Sequence, residues 1–429
     1  MVKVIGAGLA GCEAAWQLAK HGIECELFEM KPEKYTPAHS YHGFAELVCS
    51  NSLKASRLDS AAGMLKEEMR ILGSLTMECS ANTSVSAGGA LAVDRKAFSD
   101  MVTEKIKAEP LIKINCCEIT HIPDGYVIIA TGPLTSDKLA QSISEKCGKQ
   151  LSFFDAAAPI ITYDSINKDK VFFASRYGKG EDDYINCPMD KGQYESFHKA
   201  LVEAQSAELK EFEKEQFRVY EGCMPVEVLA KRGEDTIRFG PLKPVGLTDP
   251  HTGKRPYAVV QLRKENNEGT MYNLVGFQTN LKFGEQKRVF SMIPGLENAE
   301  FLRYGVMHRN SFIDSPRLLT HELCLKNDSN IYFAGQITGV EGYIESAACG
   351  IIAGLNLSRT LKNKQPLILP DEAMTGSLVK YITDENVVNF QPMGCNMGIL
   401  PELPERIKDK KVKYYTLAKR GIDALTNII

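Results

Sequence analysis

Val2-Lys3-Val4-Ile5-Gly6-Ala7-Gly8-Leu9-Ala10-Gly11 is the stretch that decides the fold. A short apolar strand runs straight into Gly-x-Gly-x-x-Gly, and an amphipathic run from Cys12 to His21 follows. Gly22 closes that helix, and Ile23–Phe28 reads as a second strand finishing on Glu29. Strand, glycine turn, helix, strand and acid in this order form a dinucleotide cradle. Gly6 permits the tight turn, Gly8 lets backbone approach a pyrophosphate, and Gly11 lets the helix pack closely on the strand. Ala7, Leu9 and Ala10 complete the turn, and the helix N-terminus offers free N–H groups to the phosphates. Glu29 is placed to accept from a ribose 2′-hydroxyl, which disfavours a 2′-phosphate and leaves FAD or NAD(H) as the tight ligand.

Two later segments favour FAD. Tyr126–Ala130 is a buried strand that ends in Ala-Thr131-Gly132, the usual exit of the crossover in flavoproteins of the glutathione-reductase type. Asn330–Ala334 is another apolar strand, running into Gly335-Gln336-Ile-Thr338-Gly339 and then a helical stretch from Ile344 to Leu357. In such flavoproteins this second turn carries the flavin end. The expected fold is therefore α/β, a glutathione-reductase-like FAD-binding Rossmann domain split in two. Residues 1–155 and 325–429, the latter with C-terminal helices, would form it around an α/β insertion domain at 156–324.

Composition agrees with this reading. The 429 residues are 44% hydrophobic and 24% charged, with a formal net charge of -3, as in an ordinary globular chain of two or three domains. No apolar run approaches the roughly 18 residues of a membrane helix, and no basic segment precedes an apolar one at the start, so a cytoplasmic protein without a membrane partner is expected. Twelve cysteines are scattered, with no Cys-x-x-Cys and no zinc-like spacing. No metal site is expected, and most thiols should be small buried hydrophobes.

Further blocks carry a resemblance. They include Thr36-Pro-Ala-His39, Phe44-Ala-Glu-Leu-Val-Cys49-Ser-Asn-Ser-Leu, Gly63-Met-Leu-Lys-Glu-Glu-Met-Arg, Glu221-Gly-Cys223-Met-Pro-Val-Glu227, and Phe239-Gly-Pro-Leu-Lys-Pro-Val-Gly-Leu. Gly253-Lys-Arg-Pro-Tyr-Ala-Val-Val-Gln-Leu, Tyr304-Gly-Val-Met-His308-Arg309-Asn, and Gly335-Gln-Ile-Thr-Gly-Val-Glu-Gly-Tyr343 follow. With the cradle, they make the chain resemble, over nearly its whole length, the folate- and FAD-dependent tRNA (uracil-5-)-methyltransferases of the TrmFO type. These form a short branch of the GidA-related flavoproteins. One departure is Asn-Met-Gly at 396–398, where the branch has Asn-Phe-Gly, and Cys395 beside it has no expected role.

The resemblance implies a reaction: one carbon passes from 5,10-methylenetetrahydrofolate to uracil C5 in the T-loop of tRNA, with NADPH or NADH supplying reducing equivalents through FAD. Uracil C5 is a poor nucleophile until something adds to C6, and a thiolate suits that task. The family's two cysteines match Cys49 and Cys223. Cys223, between Gly222 and Pro225, is expected in an exposed turn as the nucleophile, with Glu221 and Glu227 as proton-transfer candidates. Cys49 is expected near the flavin, as cofactor support or proton carrier, and Cys187 as structural. His308, followed by Arg309, is a candidate for stacking on the pterin or donating a proton, or a histidine bonded within a turn; His39 and His42 lie in a loop after the second strand.

RNA binding must be local on an acidic chain. From Lys231 to Arg317 fourteen Lys or Arg face nine acids, a net of +5, and Lys410, Lys411 and Lys413 lie beside aromatics on an expected C-terminal helix. Glu195–Gln216 reads as an acidic helix facing away from RNA. DNA has no expected role. Two alternatives stay open: the same chemistry on a ribosomal RNA uridine, or a plain NAD(P)H-dependent flavin oxidoreductase. A flavin disulfide reductase would need two cysteines about four residues apart beside the flavin, and no such pair occurs.

Overall fold

The computed structural model describes residues 1–429 except 37, 149–150, 179–181 and 208–223, and gives no side-chain account of 151–155, 308 and 309. The first strand, Val2–Ile5, lies inside a six-stranded sheet. From one edge the order is Cys324–Leu325, Asp328–Phe333, Val127–Ile129, Val2–Ile5, Cys25–Glu29 and Ile112–Cys116. All neighbours run parallel except the short edge strand Cys324–Leu325. Val127, Ile128 and Ile129 are wholly buried, as the interior of a parallel sheet covered on both faces requires.

Two helices cross over this sheet at very short range. Leu9–Lys20 leaves the glycine turn, and Tyr343–Leu361 follows the second turn at Gly335. The second helix is apolar almost all round and buried along nearly its whole length. It can approach because its contact residues lack side chains. A Cβ on Gly350 would stand 2.1 Å from the Ala10 carbonyl oxygen, and one on Gly354 would stand 2.7 Å from that of Ala14.

Buried carboxylates tie further helices to this pair. Glu13 accepts from the Ser74 hydroxyl and the amides of Leu75 (3.1 Å) and Thr76 (2.8 Å), at the start of Leu75–Asn82. Glu68 accepts from the amides of Met374 (2.7 Å) and Thr375 (2.8 Å), at the start of Met374–Thr383. Each satisfies amides that have no partner within their own helix.

A second, antiparallel six-stranded sheet has the order Phe172–Phe173, Tyr184–Met189, Ala258–Lys264, Met271–Leu274, Ile160–Thr162 and Phe301–Arg303. Helices Lys191–Glu203 and Phe283–Phe290 bury Phe197 and Phe290 against it, with Phe277 between them. The expected acidic helix thus ends at Glu203, and the rest of 195–216 is a short stretch through Ala207 and then residues outside the description. The two cores are separate: one takes residues from Val2 to Ile143 and again from Phe312 to Leu425, the other from Ala158 to Ala299. The return to the first core therefore begins at Phe312, earlier than the expected boundary at 325. An antiparallel ribbon of Leu151–Ala156 with Met307–Phe312 joins them. No helix among the described residues is long and apolar enough to cross a membrane.

Gly350→Ala should drive the two central helices apart and lower the thermal unfolding midpoint, at a cost of about 1–3 kcal/mol. Glu68 tests a second point. Burial raises its carboxyl from an ordinary 4.5 to about 7, so its contribution to stability is complete below 4.5 and is lost as pH rises through 7. Unfolding free energy of the wild type relative to Glu68→Gln should therefore fall across that interval and level off above it.

Candidate active site

The glycine turn, the second strand and the second glycine turn border one elongated cavity of roughly 470 Å³. Gly6, Ala7, Gly8, Leu9 and Ala10 line it, as do Glu29, Thr131, Gly132, Gly335 and Gln336. Gly6 has φ +96°, and a Cβ there would meet the Ala130 carbonyl oxygen at 2.7 Å. A Cβ on Gly11 would lie 1.7 Å from the Gly6 oxygen, so Gly11 serves packing and does not face the cavity. Gly8 differs from both. Its backbone is ordinary, φ -74°, and nothing lies within 4 Å of where its Cβ would be. Both central helices start at the cavity, so two positive dipole ends face it.

Glu29 is oriented before any ligand arrives. Its carboxylate accepts from the Ala7 amide at 2.8 Å and the Lys31 amide at 3.1 Å, leaving acceptor capacity for ribose hydroxyls. Thr338 turns the other way: it is fully buried, its hydroxyl donates to the Gly335 carbonyl at 2.8 Å, and it does not line the cavity. It holds the shape of the turn and has no place against a ligand. The clear space over Gly8, the preset Glu29 and the two helix ends fit FAD.

Cys49 lies in a loop that also lines the cavity. The Tyr343 hydroxyl accepts from the amides of Cys49 (2.8 Å) and Ser50 (3.2 Å) and lies 3.0 Å from the Cys49 sulfur. Burial, with Cys49 adding to it, pushes the Tyr343 phenol well above its ordinary value, so it stays protonated. Arg95 ties down the same loop through the carbonyls of Leu47 (2.7 Å) and Val48 (3.3 Å) while pairing with Glu265 at 2.5 Å. Arg263, from the second sheet, donates to Ser50 Oγ at 2.8 Å and Asn51 Oδ1 at 2.9 Å. Arg303 is half-buried, and its side chain makes no hydrogen bond or ion pair among the described residues. Burial and the nearby Arg95 lower its pKa, whereas Tyr343 and Cys49 act to raise it.

Other expected residues fall elsewhere. Cys223 and Glu221 lie outside the described residues. Glu227 is buried, accepts from Thr279 Oγ1 (2.9 Å) and the Asn280 amide (2.7 Å), and does not line the cavity. His308 and Arg309 sit on the strand Met307–Phe312, whose Asn310 lines the cavity. Cys187 is buried inside a strand and burial pushes its thiol up, as a structural residue requires. Lys410 and Lys411 are exposed and Lys413 half-buried on Lys410–Thr426, away from the cavity. His39 lines the cavity near Glu29 and His42 does not. The sequence alone does not mark Tyr343, Arg95, Arg263 and Arg303 as neighbours of Cys49. Only Tyr343 had a signal, as the last residue of the Gly335 block.

Two glycine turns on one parallel sheet, with a thiol in the same cavity, define an FAD-binding flavoprotein. Residues 1–365 match the family described as Glucose inhibited division protein A. The chain is 58% identical to "Methylenetetrahydrofolate--tRNA-(uracil-5-)-methyltransferase TrmFO" of Acetivibrio thermocellus, across 100% of this chain and 98% of that protein. It is 59% identical to the protein of the same name from Desulforamulus reducens, across 99% of this chain and 96% of that one. Among solved structures, Aquifex aeolicus GidA has the same fold, with TM-score 0.73 at 16% identity over 99% of this chain and 72% of that chain. The chain belongs to the TrmFO family, within the GidA-related flavoproteins.

Gly8→Leu should leave the fold intact and place its side chain in the cavity, so the purified protein should be colourless with an unchanged unfolding midpoint. Gly11→Ala should instead lower the midpoint. Flavin absorbance per protein and thermal unfolding separate the two.

Proposed function

We propose that the protein methylates C5 of the T-loop uridine of tRNA, taking the carbon from 5,10-methylenetetrahydrofolate. FAD is its resident cofactor, and NADPH or NADH is the source of reducing equivalents. The observation that carries this reading is the Cys49 thiol, held by Tyr343 in the wall of the same cavity that the dinucleotide cradle lines. The names of the relatives agree with it. Bound FAD supplies the redox chemistry that brings the transferred carbon to the methyl level.

The chain's own residues divide the remaining work. Cys223 adds through sulfur to uracil C6, and the electron pair of the 5,6 double bond makes C5 nucleophilic. C5 then bonds to the folate's methylene carbon as one of that carbon's two bonds to folate nitrogen breaks. Loss of the C5 proton expels the second folate nitrogen, and once the carbon is at the methyl level the 5,6 double bond re-forms as the thiolate leaves. Cys49 serves the cofactor end as support or proton carrier, with its loop fixed by Arg95 and Arg263. Arg303 adds positive charge that suits an anionic reaction partner. His308 and Arg309 are assigned to folate or RNA, and Lys410, Lys411 and Lys413 to RNA phosphates. RNA and not DNA is the polymer substrate in this reading, and the reaction takes place in the cytoplasm.

Unmodified tRNA and ribosomal RNA transcripts, each offered methylenetetrahydrofolate or S-adenosylmethionine, test the reading. Methyl should reach tRNA from the folate; transfer from S-adenosylmethionine would sink the proposal, and transfer to ribosomal RNA alone would move the target. Cysteine roles are read separately, with RNA carrying 5-fluorouracil, whose fluorine cannot leave as a proton does. Cys223→Ala should stay yellow, fail to trap this RNA and lose methyl transfer, while Cys49→Ala should shift flavin occupancy or spectrum. A double mutant that traps as well as wild type would show that neither thiol attacks the base.

A further inference from the structure

Phe283 opens the helix Phe283–Phe290, and its ring lies nearly parallel to that of Tyr304, with centroids 4.8 Å apart and planes 15° apart. Tyr304 lies in the same way on Phe301, at 5.1 Å and 11°. Phe301 in turn packs against the buried Phe290 at 6.5 Å, which roots the column in the second core. Three rings are thus stacked, and the last is open: Phe283 is 54% exposed although Tyr304 covers one of its faces. Tyr304 is the only ring stacked on Phe283 among the described residues, so the second face of Phe283 has no aromatic partner there. Leu302, also 54% exposed, adds apolar surface in the same segment.

An open aromatic face on a rigid column is what a nucleobase needs, because every base can continue the stack. Local charge suits a polyanion. Lys282 and Lys287 flank Phe283 in sequence and are exposed, and Glu285, the acid in the same turn, is already paired with Arg288 at 2.7 Å. Arg303, next to Tyr304 in sequence, lies near Arg95, Tyr343 and Cys49. One short segment, 301–304, thus carries two rings of the column and a residue near Cys49.

We infer that Phe283 is a stacking platform for a nucleotide flanking the target uridine, with Lys287 beside it for the phosphate chain. The inference rests on the reading of the substrate as an RNA uridine. It places the neighbouring base outside while the target enters the cavity, as enzymes that act on a base require.

The test uses the full-length, FAD-loaded protein and an unmodified tRNA transcript, with affinity measured by fluorescence anisotropy over a salt series. Phe283→Ala should weaken binding roughly ten- to a hundred-fold without altering the slope of log affinity against log salt. Lys287→Gln should reduce that slope by about one. Phe283→Trp should restore affinity, and its emission should be quenched on adding RNA; the one natural tryptophan, Trp16, packs against the first core. The thermal midpoint of each variant serves as a folding control. Alanine affinity within twofold of wild type, or a loss that tryptophan does not restore, overturns the platform. So does a raised folate requirement with RNA affinity intact, which would assign the ring to the folate. A wild type that binds and methylates no tRNA would sink the functional reading, an outcome distinct from all of these.

Discussion

Everything in the nucleotide-binding half depends on the close approach of two helices, Leu9–Lys20 and Tyr343–Leu361. Ala10 and Ala14 face Gly350 and Gly354, and no larger side chain fits between them. The same approach sets the site. Because Ala10 also meets Gly335, where a Cβ would lie 2.7 Å from the Ala10 Cβ, the two glycine turns are held against each other. Both helix N-termini then open onto one cavity. Packing and ligand binding are therefore one constraint, since separating the helices would also pull apart the two halves of the cradle. Dense packing of small residues transmits such shifts with little loss.

How much of this could be read beforehand follows from which contacts are local. The Gly6–Gly11 turn and Glu29 were legible because strand, turn, helix and acid occur within thirty residues, each with its own sequence signal. The second turn at Gly335 was legible for the same reason. Thr338 was misjudged because a turn sequence does not say which way a side chain points. The burial of Glu227 is not legible from its closeness to Cys223 in sequence, because Thr279 and Asn280, some fifty positions away, supply the donors it accepts from. The arginines around Cys49 carried no signal. They stand at 95, 263 and 303, and only the tertiary fold brings them to one loop.

The site is thus composite. The cradle belongs to one core, but the loop of Cys49 is tied by Arg95 from its own half and Arg263 from the other. Asn51 adds to this by donating to Val93 O at 3.1 Å and to Lys264 O at 2.8 Å, one carbonyl on each side. A thiol whose backbone is pinned from two cores keeps its orientation only while both are docked, so cofactor geometry and docking of the second half are energetically linked.

The ribbon of Leu151–Ala156 with Met307–Phe312 has a consequence for how such a protein could arise. Chain leaves the nucleotide-binding half on one strand and returns on its immediate neighbour. The two ends of the gap are therefore only a strand spacing apart, about 5 Å. A gene segment inserted at a hairpin of an older, simpler flavoprotein would produce this arrangement without disturbing the sheet order around Val2–Ile5. The half that handles the nucleotide and the half that contributes Arg263 and the aromatic column can then diverge at different rates. New substrates would be acquired by exchanging what hangs from the ribbon, while the older half keeps its redox partner.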